Sequence, residues 1–92
     1  MPLYSYVIEP ARDNFLATIT EAERALMGQH FQYLQSIKDH ARFVGRALNG
    51  DFGIVVFDAA DRPAAEAVAA ADPAVASGIV SVQVNEFAVV DL

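Results

Sequence analysis

The spacing of hydrophobic and polar positions changes along the chain, and the changes predict a mixture of strands and helices. Stretches rich in aromatic and β-branched residues predict strands over residues 3–9, 41–48, 52–57 and 79–90. Apolar residues at helical spacing predict a long helix over residues 21–40. An alanine-rich run that follows Asp61 and Pro63 predicts a second helix that ends near residue 71. A short helical turn is predicted over residues 73–77. The order β-α-β-β-α-β predicts one ferredoxin-like α+β domain over residues 1–92, with two helices on one face of a four-stranded antiparallel sheet.

Cap and turn residues mark where the predicted elements begin and end. Thr20 and Glu23 have the Thr-x-x-Glu form of a capping box, which predicts the start of the long helix. The dipeptide Asn49-Gly50 is typical of hairpin turns, so the two middle strands are predicted to pair antiparallel. Asp61 and Asp72 each stand close before a proline, an arrangement typical of a helix N-cap.

Apolar residues on both faces of the first and last strands predict a homodimer. On the last strand the two sets are Val80, Val82 and Val84 against Ile79, Phe87 and Val89. Two helices protect only one sheet face, so the second face also needs burial, and a second copy would provide it. A chain of 92 residues is also near the size at which a single core is barely sufficient. The alternative is a helix-covered monomer with a partly exposed sheet.

Composition and charge exclude several classes of partner. The formal net charge is −6, from 12 acidic against 6 basic residues, which repels phosphate backbones and anionic lipids. We therefore expect neither nucleic acid nor a membrane as a partner. The absence of cysteine excludes disulfides, thiolate nucleophiles and cysteine zinc sites. The first residues do not resemble a signal peptide, and no apolar run approaches the roughly 20 residues of a membrane helix, so we expect a cytoplasmic protein.

The two histidines are the candidates for proton transfer. His40, beside Asp39 near the predicted end of the long helix, is interpreted as surface structure that interacts with the helix dipole. No histidine pair or carboxylate cluster has metal-ligand spacing, so no metal site is predicted. No glycine-rich phosphate loop or dinucleotide fingerprint opens a helix. We therefore predict that the protein works without a cofactor.

His30 and Asp72 each have a structural and a functional interpretation. His30 falls near the middle of the apolar arc of the long helix, where it is either a core histidine bonded to a backbone carbonyl or a general acid or base. Asp72 before Pro73 is an ordinary N-cap on local grounds. The residues by themselves leave both alternatives open.

Three segments of the chain resemble the YciI-like (YCII-related) family. They are residues 28–34 (GQHFQYL), 69–79 (AAADPAVASGI) and 82–87 (VQVNEF), and the Ala-Asp-Pro segment is the most specific of them. The resemblance covers nearly the whole chain and implies a dimeric ferredoxin-like α+β barrel. It also implies that His30 and Asp72 form the active-site pair.

The chain departs from the family pattern at positions that border the implied pocket. The connection between the second and third strands shrinks to about residues 49–51. Ala74 stands where many relatives have an aromatic residue, and Gly45-Arg46 replaces a frequent Gly-Pro. The resemblance therefore does not indicate a particular substrate.

The leading hypothesis is a cofactor-independent enzyme that transfers a proton on a small organic molecule, as a lyase or an isomerase does. His30 would be the base or acid, and Asp72 would orient its ring. Arg46 would meet an anionic group of the substrate. Four aromatic side chains are predicted to line the apolar part of the pocket: Tyr4, Tyr6, Phe31 and Tyr33. Of these, Tyr6 and Tyr33 are the predicted substrate contacts.

Three other classes of function remain open. The first is a non-catalytic module that binds a small hydrophobic or aromatic ligand in the same pocket. The second is a structural dimer or an accessory subunit, in which His30 is a satisfied core residue and Asp72 only a cap. The third is a dimeric α+β barrel that resembles the small antibiotic-oxidising monooxygenases. The fold alone does not choose among them.

Overall fold

The computed structural model of the chain describes residues 1–92 and contains four strands and four helices. In chain order they are β1 (Leu3–Pro10), α1 (Phe15–Thr18), α2 (Glu21–Ser36), β2 (Ala41–Arg46), β3 (Gly53–Asp58), α3 (Arg62–Ala70), α4 (Pro73–Ala76) and β4 (Val80–Glu86). The predicted β-α-β-β-α-β order is confirmed. The short helix α1 is an addition that the sequence pattern did not predict.

The sheet places β1 in its interior. The strand order is β2-β3-β1-β4, and every neighbouring pair is antiparallel. Tyr4, Tyr6 and Ile8 of β1 belong to the buried core, together with residues of α3 and α4. This order, with helices on the core side, confirms the predicted ferredoxin-like α+β fold.

Alanines bring α3 and α4 close to the sheet. Ala65, Ala69 and Ala74 are at most 1% exposed. They belong to the same core cluster as Tyr6 and Phe57. Because an alanine side chain is a single methyl group, a helix can approach the strands closely without leaving voids. This close packing fixes the position of the N-terminus of α4 relative to β1.

The helix α2 begins where the capping box predicts and ends earlier than predicted. The Thr20 side chain accepts from the backbone N–H of Glu23, and the Glu23 carboxylate accepts from the N–H of Thr20. The helix ends at Ser36 rather than at residue 40, because the following residues form tighter turns, such as the 2.9 Å bond from the His40 N–H to the Ile37 carbonyl. None of the helices combines the length and the apolar character needed to cross a membrane.

The strand β4 ends at Glu86, so the prediction that it continues to residue 90 is wrong. Tyr4 and Glu86 are its last pair, and the N–H of Phe87 donates to the carbonyl of Leu3 at 3.0 Å. Because β1 begins at Leu3, the chain beyond this point has no strand left to pair with. The strand β2 likewise ends at Arg46 rather than at residue 48, at the turn into β3.

The faces of β4 also differ from the prediction. Val82 and Val84 pair with Ile8 and Tyr6, so they lie on the helix side of the sheet. The other face of β4 is polar and carries Ser81, Gln83 and Asn85. The expectation that this strand is apolar on both faces is therefore wrong. The apolar residues of the open sheet face come from the other three strands: Leu3, Val7, Phe43, Ile54 and Val56.

Candidate functional site

Three polar side chains from three elements meet between the helices and the sheet. His30 on α2 places Nδ1 2.7 Å from Asp72 Oδ2. The hydroxyl of Tyr6 on β1 donates to the same oxygen at 3.0 Å. His30 is 5% exposed, and both Asp72 and Tyr6 are 0% exposed. The structure thus brings His30 and Asp72 into contact, while their catalytic roles stay a prediction.

Asp72 stands at the N-cap of α4. Its backbone is extended, with φ −65° and ψ 124°, which is the region a residue before proline prefers. Its Oδ1 accepts from the backbone N–H of Ala74 at 2.9 Å. The N-cap interpretation is therefore correct, but it uses only one oxygen. The other oxygen lies between His30 and Tyr6.

Burial gives the Asp72 carboxylate an unusual electrostatic setting. It has no contact with water, and His30 is its only ion-pair partner. Its charge is satisfied by the Ala74 N–H, the Tyr6 hydroxyl and the His30 ring. A buried carboxylate without such partners would be far more costly. The first two donors keep Asp72 hydrogen-bonded whether the His30 ring is neutral or protonated.

Tyr6 is a buried hydrogen-bond donor in this arrangement. Burial, followed by the charge and the hydrogen bond of Asp72, raises the pKa of Tyr6 far above its ordinary value. The phenol therefore keeps its proton at neutral pH. Its ring also packs edge-on against Phe57, with 5.8 Å between ring centroids. In the single chain Tyr6 reaches Asp72 rather than an open pocket, so its predicted substrate contact remains a prediction.

The second nitrogen of His30 keeps access to solvent. Nδ1 makes the only side-chain hydrogen bond of the ring, and no buried side-chain nitrogen or oxygen lacks a partner. Nε2, which has none, is therefore not sealed from water. Phe31 lies beside the imidazole ring, 53% exposed, with its ring centroid 5.1 Å from that of His30.

Tyr33 connects α2, the helix that carries His30, to α3 by a hydrogen bond. Its hydroxyl donates to the carbonyl of Val68 on α3 at 2.7 Å. Burial and then the charge of Asp72 raise the pKa of Tyr33. Tyr33 therefore lies near the pair and holds α2 in place, and its predicted contact with a substrate stays a prediction. Tyr4, the other predicted lining residue, is 5% exposed in the core.

Arg46 is not brought to the pair. It is exposed at the end of β2, and its guanidinium approaches only the carbonyls of Ala47 and Leu48, each at 3.5 Å. No hydrogen bond or ion pair joins it to His30 or Asp72 in the single chain. Its predicted contact with an anionic substrate group stays a prediction.

One cavity of the chain lies away from the pair. It has a volume of about 880 Å³ and lies between α1 and the β2–β3 turn, where its lining includes Glu9, Asp13 and Asp51. Neither His30 nor Asp72 borders it. No group of three or more potential metal ligands gathers anywhere in the chain. The polar cluster and this cavity therefore do not coincide in one chain.

Sequence reasoning missed the hydrogen bond between Tyr6 and Asp72. The alternation along β1 does place Tyr6 on the core face, and a buried phenol almost always finds a partner. That requirement was the available signal. The identity of the partner depends on how α4 packs against β1, which local patterns do not contain.

Comparison with known proteins relates the chain to one family and one solved fold. The family model of the YCII-related domain matches residues 4–88. Among solved structures, the chain is similar to a 5-chloro-2-hydroxyhydroquinone dehydrochlorinase (TftG) from Burkholderia phenoliruptrix AC1100, in complex with 2,5-dihydroxybenzoquinone. The TM-score is 0.70 and the identity 15%, with 92% of this chain and 93% of that chain covered. At this identity the likeness shows a shared fold. No curated protein gives a significant match.

Proposed function

The chain belongs to the family of YCII-related domains, and we propose that it is a cofactor-independent enzyme. It acts on a small organic molecule by proton transfer, as a lyase or an isomerase does. His30 is the acid or base, and Asp72 orients it. The observation that carries the proposal is the buried 2.7 Å contact between His30 Nδ1 and Asp72 Oδ2.

The hydrogen bonds of Asp72 determine which nitrogen of His30 reacts. An ionised carboxylate only accepts hydrogen bonds, so Nδ1 of His30 carries the proton that joins it to Oδ2. In the neutral ring Nε2 then holds a lone pair, which makes it a general base. After Nε2 takes up a proton, Asp72 stabilises the imidazolium, which can return the proton as a general acid.

Proton transfer through Nε2 balances without a cofactor. In an elimination, Nε2 takes a proton from the substrate, the electrons of the broken bond form a double bond, and the leaving group departs with its bonding pair. The imidazolium then returns the proton to solvent. In an isomerisation, the imidazolium returns the proton to another atom of the same substrate. Both sequences use the same two residues.

The structural neighbour supports hydroxylated aromatic molecules as the first substrate class to test. It is a dehydrochlorinase of a chlorinated hydroxyhydroquinone, bound to a dihydroxybenzoquinone. Loss of hydrogen chloride is an elimination, which fits the proposed proton transfer. In this chain, the exposed ring of Phe31 beside His30 offers a face on which a planar substrate can stack.

We propose a homodimer as the form that completes the pocket. The open sheet face carries Val7, Ile54 and Phe43, and Phe43 is 58% exposed in the single chain. A second copy that packs on this face would remove the patch from water. The cavity of about 880 Å³ does not border His30, and in the proposed dimer a second surface would complete a substrate pocket beside that residue.

Neighbouring residues on β2 give a matched test of this interface. Phe43 pairs with Val56 on the open face, whereas Val44 pairs with Val55 on the helix side. Both are exposed, by 58% and 48%. Phe43→Glu is expected to yield monomers in light scattering after gel filtration, and Val44→Glu to leave the dimer intact. A monomeric native protein, or a dimer that survives Phe43→Glu, would contradict the proposed interface.

The function is tested by a ligand and turnover screen on three proteins. Native protein, His30→Gln and His40→Gln are compared in thermal shift with hydroxylated aromatics, lactones and carboxylic acids. Compounds that raise the melting temperature are then tested for product formation and for uptake of solvent deuterium. Native protein and His40→Gln are expected to respond alike. In His30→Gln turnover should fall by about 10²–10⁴-fold, the usual contribution of a general acid or base.

Other outcomes of the screen would support the competing functions. Ligands that stabilise native protein and His30→Gln equally, without turnover, would favour a non-catalytic binding module. An absence of any ligand response, with a His30→Gln protein that only melts at a lower temperature, would favour a structural dimer. Either result would contradict the proposed enzyme.

A further inference from the structure

Two donors share one oxygen at the centre of the cluster. Asp72 Oδ1 is occupied by the N-cap bond to Ala74, so Oδ2 serves both the His30 ring and the Tyr6 hydroxyl, at 2.7 Å and 3.0 Å. Each donor withdraws electron density from the oxygen and weakens its hold on the other. The strength with which Asp72 attracts the Nδ1 proton therefore depends on Tyr6.

We propose that Tyr6 is a positioning residue that, by sharing Asp72 Oδ2 with His30, sets how readily His30 Nε2 takes up a proton. Tyr6 acts through Asp72 and makes no contact with substrate in this proposal. The inference deepens the proposed function, on which its catalytic meaning rests. The effect on the His30 ring itself needs no substrate and can be measured on the free protein.

The position of Tyr6 is fixed well enough for such a role. The side chain is fully buried, and its ring packs edge-on against Phe57. Across the sheet its neighbours are Val55 and Val84. Because burial and the charge of Asp72 raise its pKa, the phenol remains a donor throughout the neutral range. The hydroxyl therefore cannot turn away from Oδ2 without losing its only side-chain partner.

Two titratable side chains lie close to the pair, Tyr6 from β1 and Tyr33 from α2. In each of them burial and then the charge of Asp72 raise the pKa. The Tyr33 hydroxyl donates its hydrogen bond to the backbone carbonyl of Val68, so it does not compete for Asp72 Oδ2. The Tyr6 hydroxyl is therefore the side-chain donor that modulates the bond between Asp72 and His30.

The test follows the titration of the His30 ring by NMR in two variants of Tyr6. One removes the hydrogen bond that Tyr6 donates to Asp72 Oδ2, and the other strengthens it. Tyr6→Phe removes one donor, which strengthens the attraction of Oδ2 for the imidazolium, so the titration midpoint should move to higher pH. Site-specific 3-fluorotyrosine at position 6 makes the phenol a stronger donor and should move the midpoint to lower pH. Tyr4→Phe is the matched control: Tyr4 lies on the same strand and face, and its hydroxyl bonds to no side chain. It should leave the midpoint unchanged.

The outcomes separate this inference from the proposed function. Midpoints that shift in opposite directions for the two Tyr6 variants support the positioning role, even if the ligand screen finds no substrate. Midpoints that match the Tyr4→Phe control overturn it, even if the protein proves to be an enzyme. If Tyr6→Phe does not fold, the fluorotyrosine variant decides alone, because it preserves the buried ring and the hydrogen bond.

Discussion

Asp61 and Asp72 show that one local motif can have two different environments. Each caps a short helix that has a proline in its first turn, and each accepts a backbone N–H at 2.9 Å. Asp61 is exposed, and its side chain makes no further hydrogen bond. Asp72 is fully buried, and its second oxygen binds His30 and Tyr6. The cap is a local property, whereas the candidate site arises from what the fold packs around the second oxygen.

The largest difference between the two aspartates is expected on truncation to alanine. Asp61→Ala removes one exposed cap and should lower the free energy of unfolding by about 1 kcal/mol. Asp72→Ala also leaves the His30 ring and the Tyr6 hydroxyl without an acceptor, so its cost should be about 3–5 kcal/mol. Denaturant unfolding at one protein concentration measures both. Equal losses would mean that the contacts of the second oxygen contribute nothing to stability.

Substitution by asparagine separates the cap from the cluster. Asparagine caps helices about as well as aspartate, so Asp61→Asn should change the free energy of unfolding by less than about 0.5 kcal/mol. Asp72→Asn keeps the cap but turns a charged acceptor into a neutral amide, at a cost of about 1–3 kcal/mol. The same denaturation experiment measures both. If Asp72→Asn were as mild as Asp61→Asn, Asp72 would be a helix cap only.

The comparison also shows what the sequence could predict. The proline after each aspartate and the alanine-rich run predicted both caps and both helices correctly, because capping and propensity are local properties. The meeting of His30 with Asp72 could be anticipated only through the family resemblance. Its third member, Tyr6, depends on the depth at which α4 packs against β1.

The errors on β4 have a similar cause. Alternation along a strand gives two faces but does not show which of them the helices cover, as for Val82 and Val84. The register with Ile8 and Tyr6 decides that question. The end of the strand at Glu86 is likewise set by the first residue of β1, and apolar residues beyond it could not reveal the missing partner.

The smallest expected difference between the two aspartates lies in the response to alkali. The pKa of Tyr6 is raised in the folded protein, so between its unfolded and folded values the native state binds more protons than the unfolded state. Stability is therefore expected to fall as the pH rises above about 10, the ordinary value for tyrosine. Tyr6→Phe should flatten this decline.

The two aspartate variants test, in the same measurement, how much the charge of Asp72 contributes to the raised pKa of Tyr6. Burial is the larger cause of the Tyr6 shift and the charge of Asp72 the next, so Asp72→Asn should flatten the alkaline decline in part. Asp61→Asn should leave it as in the native protein. Denaturation curves collected across the alkaline range give the slopes. If Asp72→Asn declined with the same slope as the native protein, the pKa of Tyr6 would not depend on the charge of Asp72.

In the proposed mechanism the buried contact with Asp72 presents a lone pair on His30 Nε2, and the ring nitrogens report this directly. In nitrogen-15 NMR of the native protein and of Asp61→Asn, the neutral His30 ring is predicted to carry its proton on Nδ1. In Asp72→Asn this preference should weaken or reverse. Two results would contradict the proposal that Asp72 makes His30 Nε2 available as a base. One is a native ring that carries its proton on Nε2, and the other is a proton position that does not change in Asp72→Asn.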